Sequence, residues 1–333
     1  MTESNLEYPK ITLEKELQSH LKFEAIIRIE SLQSLWSGYG TLLRVFLSGY
    51  KQNSIIVKRI STPTKFNHPR GWFTDIGHER KLRSYEVEFN SYKNFHYQLD
   101  VNCKSPALLG HQNFEDHTLL ILEDLAALGY TKVYQDLSSI QIKKCLDWLA
   151  SFHARFIHIE PQDLWPIGTY WQLDTRKNEL KAMEDGVLKS AAQSIHNALN
   201  SSQFKTLVHG DAKYANFCFS DNDDVAAVDF QYVGGGCGIK DVAYLLSCIE
   251  GGIGSQSEED EYLAHYFRAL NENIQQNDKG LKLHELETEW RYLYPFAYAD
   301  FERFLVGWSP GHWKSNIYSK TQVDKTINLL MKK

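Results

Sequence analysis

The chain has 333 residues, which is long enough for two lobes that share a cleft. It carries 36 basic and 42 acidic residues, a formal net charge of −6, without a basic run or aromatic–basic interleaving that would favour nucleic acid. No apolar stretch approaches the length of a membrane span, and residues 1–10 are polar and acidic, unlike a signal peptide. We therefore expect a soluble, cytoplasmic protein with neither nucleic-acid nor membrane partners.

Several enzyme classes are disfavoured by missing motifs. The five cysteines form no Cys-x-x-Cys pair, so a structural zinc site and a disulfide framework are not expected. The sequence also lacks a Walker-type Gly-Lys-Ser/Thr, a His-Glu-x-x-His and a Gly-x-Ser-x-Gly. These absences argue against a P-loop NTPase, a zinc protease of that type and an α/β-hydrolase.

The first part of the chain is rich in predicted strands. A short helix is predicted over residues 11–21, and strands over 24–32, 41–47 and 54–60. The loop between the first two strands contains Gly38 and Gly40. Backbone amides of such a loop can approach nucleotide phosphates, because glycine tolerates the conformations required. Two glycines are a weak signal, and a plain hairpin turn is the alternative.

Lys58 lies near the end of the third predicted strand, the position from which a kinase lysine binds the α- and β-phosphates of ATP. Such a lysine needs a glutamate partner from the next helix. A loop is predicted over residues 61–72 and a long helix over 75–98. Glu88 is the better candidate for the partner, and Glu86 is the alternative.

The switch from strands to helices predicts a lobe boundary. Two further strands are predicted over 107–110 and 117–122, followed by Glu123-Asp124-Leu125, a connector whose backbone would bind adenine. We expect an N-lobe over residues 1–124 and a C-lobe over 125–333. The predicted C-lobe helices cover 138–156, 176–201, 240–250, 257–276, 282–307 and 320–332.

The most specific stretch begins after a short predicted strand over residues 206–208. Asp211 and Asn216 have the Asp-x-x-x-x-Asn spacing of a base followed by a metal ligand, and Asp229 lies thirteen residues further on. Predicted strands over 217–219 and 225–228 form a hairpin that would bring Asp229 back towards Asn216. ATP-dependent phosphoryl transfer with Mg²⁺ requires this set, because oxygen ligands and substrate phosphates suit that ion.

Three nearby features have simpler interpretations. Asp241 is predicted to cap the helix that follows it, and Gly234-Gly235-Gly236 to form a flexible turn. His153 lies beside an apolar helix stripe and is predicted to be a packed, hydrogen-bonded core histidine.

The chain resembles the choline kinase and aminoglycoside phosphotransferase superfamily, and within it the ecdysteroid kinase-like branch. The matching passages are Ile121–Leu125 with Gly129-Tyr130, Leu149–Ala154, Val208–Phe217, Val228–Gln231 and Asp241–Leu245. The resemblance implies an α+β, bilobal protein-kinase-like fold with a small β-rich N-lobe and a larger helical C-lobe. It implies Asp211 as catalytic base, Asn216 and Asp229 as Mg²⁺ ligands, and Lys58 paired with Glu88. Gln231 after Asp229-Phe230 is usual for that branch and not for protein kinases.

The expected acceptor is a hydroxyl of a small molecule such as an amino alcohol, a sugar or a sterol-like alcohol. Residues 290–313 are rich in aromatic side chains, which are explained by core packing, by a wall for an apolar alcohol, or by a cage for a quaternary ammonium group. Trp308 and Trp313 are the candidates for the pocket. The alternatives to a small-molecule kinase are a nucleotide-binding pseudokinase and a protein kinase, the latter weakened by Gln231.

Overall fold

The computed structural model describes residues 10–62, 75–276 and 280–332. The N-lobe contains an antiparallel five-stranded sheet in the order β1-β2-β3-β5-β4. Its elements are α1 (Lys10–Gln18), β1 (Ala25–Ser34), β2 (Gly40–Ser48), β3 (Ser54–Ile60), α2 (Asp75–Asn94), β4 (Leu108–Asn113) and β5 (Thr118–Glu123). Residues 63–72 of the predicted loop lie outside the described residues.

Side chains along β3 alternate between the two faces of the N-lobe sheet, one packed against α1 and the other bordering the cleft. Ile55 and Val57 are fully buried in a cluster with Leu13 and Leu17 of α1. Since successive residues of a strand point to opposite faces, the next residue, Lys58, points to the other side of the sheet. That face borders the cleft between the lobes.

The C-lobe is mainly helical and contains two small strand pairs, β6 with β9 and β7 with β8. Its elements are α3 (Ser139–Arg155), α4 (Lys177–Ala182), α5 (Val187–Asn200), β6 (Thr206–Val208), β7 (Phe217–Phe219), β8 (Val225–Ala227), β9 (Gly234–Gly236), α6 (Ile239–Leu246), α7 (Gln256–Gln276), α8 (Leu283–Trp308) and α9 (Ile317–Met331). The expected bilobal α+β fold is confirmed.

Two predicted elements differ from the structure. The helix predicted over residues 176–201 is two helices, α4 and α5, because the backbone leaves the helical conformation at Met183 and is extended at Gly186. The segment 234–236 is strand β9 and not a flexible turn. Glycine is needed there for close packing, since a Cβ on Gly234 would lie 2.2 Å from the carbonyl oxygen of Trp165.

The segment between α2 and β4 packs against the C-lobe, although it precedes the connector in sequence. The indole of Trp148 on α3 donates a hydrogen bond to the carbonyl oxygen of Lys104 at 2.9 Å. The same carbonyl accepts from the backbone N–H of Ala227 at 2.9 Å. A continuous buried cluster therefore crosses from α2 into the C-lobe helices. Within the described ranges, no helix has both the length and the apolar character needed to traverse a bilayer.

Candidate active site

One cavity of about 1020 Å³ lies between the lobes. Among the residues that line it are most of those singled out from the sequence, namely Lys58, Glu88, Glu123, Asp124, Leu125, Asp211, Asn216 and Asp229. These positions are separated by up to 171 residues in sequence. Folding therefore brings them to one place.

Gly38 and Gly40 are the two predicted site residues that do not line this cavity. Both have positive φ angles and shape the end of the β1–β2 hairpin. Their neighbours Trp36 and Tyr39 line the cavity instead. The hairpin borders the cleft, but its glycines contribute backbone shape and not cavity wall.

Lys58 lies at the centre of the N-lobe side. Its ammonium is 2.6 Å from Oε2 of Glu88 and 3.5 Å from Oδ1 of Asp229. Burial opposes the charge on Lys58, but the carboxylates of Glu88 and Asp229 outweigh burial and raise the pKa of Lys58. The ammonium therefore stays charged. Glu86 points away and pairs with Arg83, so the alternative partner is excluded.

The side chains of the connector between the lobes stabilise the connector itself. Asp124 accepts hydrogen bonds from Arg44 Nε at 2.8 Å and from Ser54 Oγ at 2.6 Å. Glu123 binds Lys104 Nζ at 2.9 Å. These contacts attach the connector to β2, to β3 and to the segment before β4.

The carboxylate of Asp211 is held from both sides. Oδ2 accepts from Lys213 Nζ at 3.0 Å and from Asn216 Nδ2 at 3.1 Å, and Oδ1 accepts from the hydroxyl of Tyr244 at 3.2 Å. The hydroxyl of Tyr170 lies 3.2 Å from that of Tyr244 and extends the chain. Asp211 is 6% exposed, so its orientation is restricted while an edge remains open to the cavity.

Asn216 and Asp229 meet as the predicted hairpin requires. Strands β7 and β8 pair Phe217 with Ala227, and the N–H of Val228 donates to the carbonyl oxygen of Asn216 at 2.9 Å. The amide nitrogen of Asn216 is occupied by Asp211, which leaves the amide oxygen as the group available to a cation.

Asp229 has a strained backbone, with φ at 67°. A non-glycine residue in this region costs about 1–3 kcal/mol and is typical of functional sites. Burial opposes ionisation of Asp229, but Lys58 and Lys213 outweigh it, so the pKa of Asp229 is lowered. Two oxygen ligands on adjacent turns, both facing a cavity, fit Mg²⁺, which takes few protein ligands and completes its shell with phosphates and water.

Asp241 does not cap a helix, and the sequence interpretation was wrong. It lies inside α6, is fully buried, and accepts hydrogen bonds from the backbone N–H groups of His209 at 2.5 Å and Gly210 at 2.9 Å. Gly210 has φ of 80°, and a Cβ there would lie 2.1 Å from the carbonyl oxygen of Tyr232. Asp241 therefore holds the loop that presents Asp211. His153, a buried core histidine as predicted, lies 3.2 Å from the same carboxylate.

His209 connects the two loops of the site. Its Nε2 lies 3.1 Å from the carbonyl oxygen of Val228, and its Nδ1 accepts from the N–H of Asp211 at 3.3 Å. A donor at Nε2 and an acceptor at Nδ1 define the neutral imidazole. Burial lowers the pKa of His209, which agrees with that state.

Gln231 and Lys81 form a contact that the sequence patterns did not predict. Gln231 donates to Oδ1 of Asp229 at 2.7 Å, while its own amide oxygen accepts from Lys81 Nζ at 2.7 Å. Burial, and then the charge on Lys58, lower the pKa of Lys81 to about 8. In the sequence Gln231 marks a departure from protein kinases, and in the structure the same residue connects α2 to Asp229.

The C-lobe end of the cavity is walled by aromatic rings. Tyr170, Tyr244, Phe301, Phe304, Trp308 and Trp313 line it. Other aromatic residues of the same stretch are core, including Trp290, whose indole donates to the carbonyl of Phe204 at 3.0 Å. Core packing and a cavity wall therefore both occur, each in a different part of the aromatic stretch.

Sequence comparison supports the family resemblance. The model of the ecdysteroid kinase-like family matches residues 167–278, a segment that contains Asp211, Asn216, Asp229 and Asp241. No curated protein matches the chain.

Solved structures resemble the chain over most of its length. A thermostable mutant of aminoglycoside phosphotransferase APH(4)-Ia, in ternary complex with AMP-PNP and hygromycin B, has a TM-score of 0.50 and 13% identity, covering 95% of this chain and 98% of that chain. The microcompartment-associated aminopropanol kinase has a TM-score of 0.49 and 14% identity, covering 94% and 93%. Choline kinase LicA from Streptococcus pneumoniae has a TM-score of 0.45 and 14% identity, covering 97% and 99%. At 13% identity, the similarity to APH(4)-Ia shows the fold alone. The family match on residues 167–278 confirms the resemblance of this chain to the ecdysteroid kinase-like family.

Proposed function

We propose that this protein is an ATP- and Mg²⁺-dependent phosphotransferase that transfers the γ-phosphate to a hydroxyl of a small molecule. The observation that carries the proposal is the convergence of Lys58, Asp211, Asn216 and Asp229 on one cavity. Phosphoryl transfer requires the acceptor to be positioned and the phosphate charge to be neutralised more than it requires covalent chemistry, and these four residues can supply both. The family match supports the same reaction class.

The N-lobe side of the cavity would hold the nucleotide. Lys58, kept charged by Glu88, is suited to bind the α- and β-phosphates. The backbone of residues 123–125 would bind adenine, and the β1–β2 hairpin with Gly38 and Gly40 would cover the phosphates. We place the boundary between the lobes at Asp124–Leu125, with the segment before β4 packed on the C-lobe.

Asn216 and Asp229 would hold Mg²⁺ through their side-chain oxygens. When bound, the ion neutralises charge on the β- and γ-phosphates. Gln231 fixes Asp229 for this purpose, because it donates to one carboxylate oxygen and leaves the other available.

Asp211 would act as the base. The acceptor oxygen forms a bond to the γ-phosphorus, the bond from that phosphorus to the bridging oxygen of ADP breaks, and the hydroxyl proton passes to Asp211. Tyr244 and Asn216 orient the carboxylate, and its contact with Lys213 brings a positive charge to the point of transfer. Asp211 raises the pKa of Lys213 and burial opposes this, so Lys213 remains charged.

A library of small hydroxyl compounds, incubated with Mg²⁺ and ATP and monitored by ADP release, tests the proposal. We expect at least one acceptor to be phosphorylated, and Asp211→Asn to abolish the signal. Asp221→Asn is the matched control, since Asp221 is 86% exposed on the β7–β8 turn. Nucleotide binding without turnover of any acceptor would instead favour a pseudokinase.

A further inference from the structure

Lys314 is a buried cation at the aromatic end of the cavity. It lies between α8 and α9, lines the cavity, and is 8% exposed. Its ammonium is 4.4 Å from the ring centre of Tyr244, 5.5 Å from that of Trp313 and 5.6 Å from that of Phe301. Three aromatic rings therefore surround an ammonium group of the protein itself.

No carboxylate of the described residues lies within ion-pair distance of the Lys314 ammonium. Its short polar contact is with Sγ of Cys248 at 2.9 Å, and a thiol is a weak partner for a charge. Arg176, another cation that lines the aromatic end of the cavity, does have a carboxylate partner, because it pairs with Glu179 at 2.9 Å. A buried charge normally has an opposite charge beside it, and aromatic faces compensate only part of the cost of burial.

Tyr244 connects this cation to the reaction centre. The ring that faces Lys314 belongs to the same tyrosine whose hydroxyl donates to Oδ1 of Asp211. One tyrosine side chain therefore contacts both Asp211, where a hydroxyl would react, and Lys314, where an anionic group would bind. Phe301, whose ring centre is 4.9 Å from that of Tyr244, and Phe304 add apolar surface to the lining of the same cavity.

We propose that the acceptor is an alcohol with an apolar body and an anionic group, and that Lys314 binds the anionic group. This inference rests on the proposed phosphotransferase function and narrows its substrate class. A quaternary ammonium compound is disfavoured, because its charge would meet the Lys314 ammonium among the same rings.

Matched compounds that differ in one group test the inference. The probes are 4-(hydroxymethyl)benzoate and 4-hydroxybutanoate, the amide of each, and 4-(hydroxymethyl)benzyltrimethylammonium. Dissociation constants are measured by tryptophan fluorescence, since Trp308 and Trp313 line the cavity. We expect at least one carboxylate to bind about tenfold or more tightly than its amide, equivalent to about 1.4 kcal/mol.

Three variants separate charge from packing. Lys314→Gln should bring the carboxylate-to-amide affinity ratio close to one, and Lys314→Arg should restore a preference for the carboxylate. Lys320→Gln removes an exposed lysine on α9 and should keep the native ratio. Thermal unfolding of each variant checks that the fold is retained.

The outcomes distinguish this inference from the proposed function. If neither carboxylate binds more tightly than its amide, or if the ammonium compound binds most tightly, the anion site is refuted, whatever the result for ADP release. If a carboxylate binds in a Lys314-dependent manner but no compound in the hydroxyl library releases ADP, the anion site stands and the phosphotransferase proposal fails.

Discussion

The carboxylate of Asp241 accepts a hydrogen bond from the backbone N–H of Gly210 at 2.9 Å. Its other oxygen accepts from the N–H of His209 at 2.5 Å. The residue that holds the loop before Asp211 is therefore on a helix that begins about thirty residues later. The geometry of the base depends on a contact between distant parts of the C-lobe.

Asp241→Asn removes the charge and one acceptor oxygen from this contact. We expect the free energy of unfolding to fall by about 1–3 kcal/mol, because a buried backbone N–H is left without a charged acceptor. We also expect kcat to fall, since the loop that carries Asp211 loosens. Urea unfolding and ADP release measure the two effects, and unchanged values for both would contradict the assignment. Asp221→Asn, an exposed change of the same type, is the control.

Asp211→Asn and Asp229→Ala address the base and the metal ligand. A general base contributes about 10²- to 10⁴-fold, so kcat of Asp211→Asn should fall by at least that order. Asp229→Ala should weaken the dependence of nucleotide binding on Mg²⁺, whereas Asp211→Asn should leave it. Calorimetric titration of ATP with and without Mg²⁺ separates the roles. Retained phosphorylation in either variant refutes its assignment.

The pair Glu88 and Glu86 offers a matched test on one helix. Glu88→Gln weakens the contact that holds Lys58, so the KM for ATP should rise and kcat should fall by about tenfold or more. Glu86→Gln changes the same residue type two positions away, where the side chain pairs with Arg83. Steady-state kinetics should show it to be near native. Equal effects of the two substitutions would argue against the Lys58–Glu88 pair.

Gln231→Gly converts the motif to the form usual in protein kinases and removes the bridge from α2 to Asp229. We expect a higher concentration of Mg²⁺ for half-maximal activity, because Asp229 loses the group that orients it. Gln231→Glu is the companion variant, since it keeps the length and the contact with Lys81 but cannot donate to Asp229. A magnesium titration of ADP release is the measurement, and native behaviour in both variants would contradict the bridge.

His96 makes stability depend on pH. Burial, and then the neighbouring His209, lower the pKa of His96 from 6.5 to about 3. The unfolded chain therefore binds a proton at a higher pH than the folded chain does. The contribution of His96 to stability is fully present above pH 6.5 and is lost progressively as the pH falls towards 3, by up to about 1.4 kcal/mol per pH unit.

His96→Gln should reduce the slope of the unfolding free energy against pH by the equivalent of about one proton. Urea unfolding between pH 7 and pH 4 measures the slope in native and variant protein. His284→Gln, at an exposed position early in α8, should retain the native slope. Parallel slopes for native protein and His96→Gln would show that His96 is not the group responsible.

Local patterns in the sequence predicted most of the elements and the central residues of the site. The spacing of Asp211 and Asn216 and the hairpin before Asp229 are local features, because β7 and β8 pair across a short turn. The prediction of one helix over residues 176–201 was wrong. Its residues are those of a single helix in composition, but the chain forms two helices separated by an extended Gly186.

Tertiary structure alone decided which side chains face the cleft. The sequence favoured Glu88 but left Glu86 open as the partner of Lys58, and the rotation of α2 buries Glu88 against Lys58 and exposes Glu86. Asp241 reads as a helix cap, and only the packing of α6 brings it to Gly210. No motif in the sequence singles out Lys314, and only the fold places it among aromatic rings. Hydrogen bonds between residues far apart in the chain, and the burial of their side chains, depend on how the helices and strands pack. The spacing of residues in the sequence indicates only which residues are close within one element or one turn.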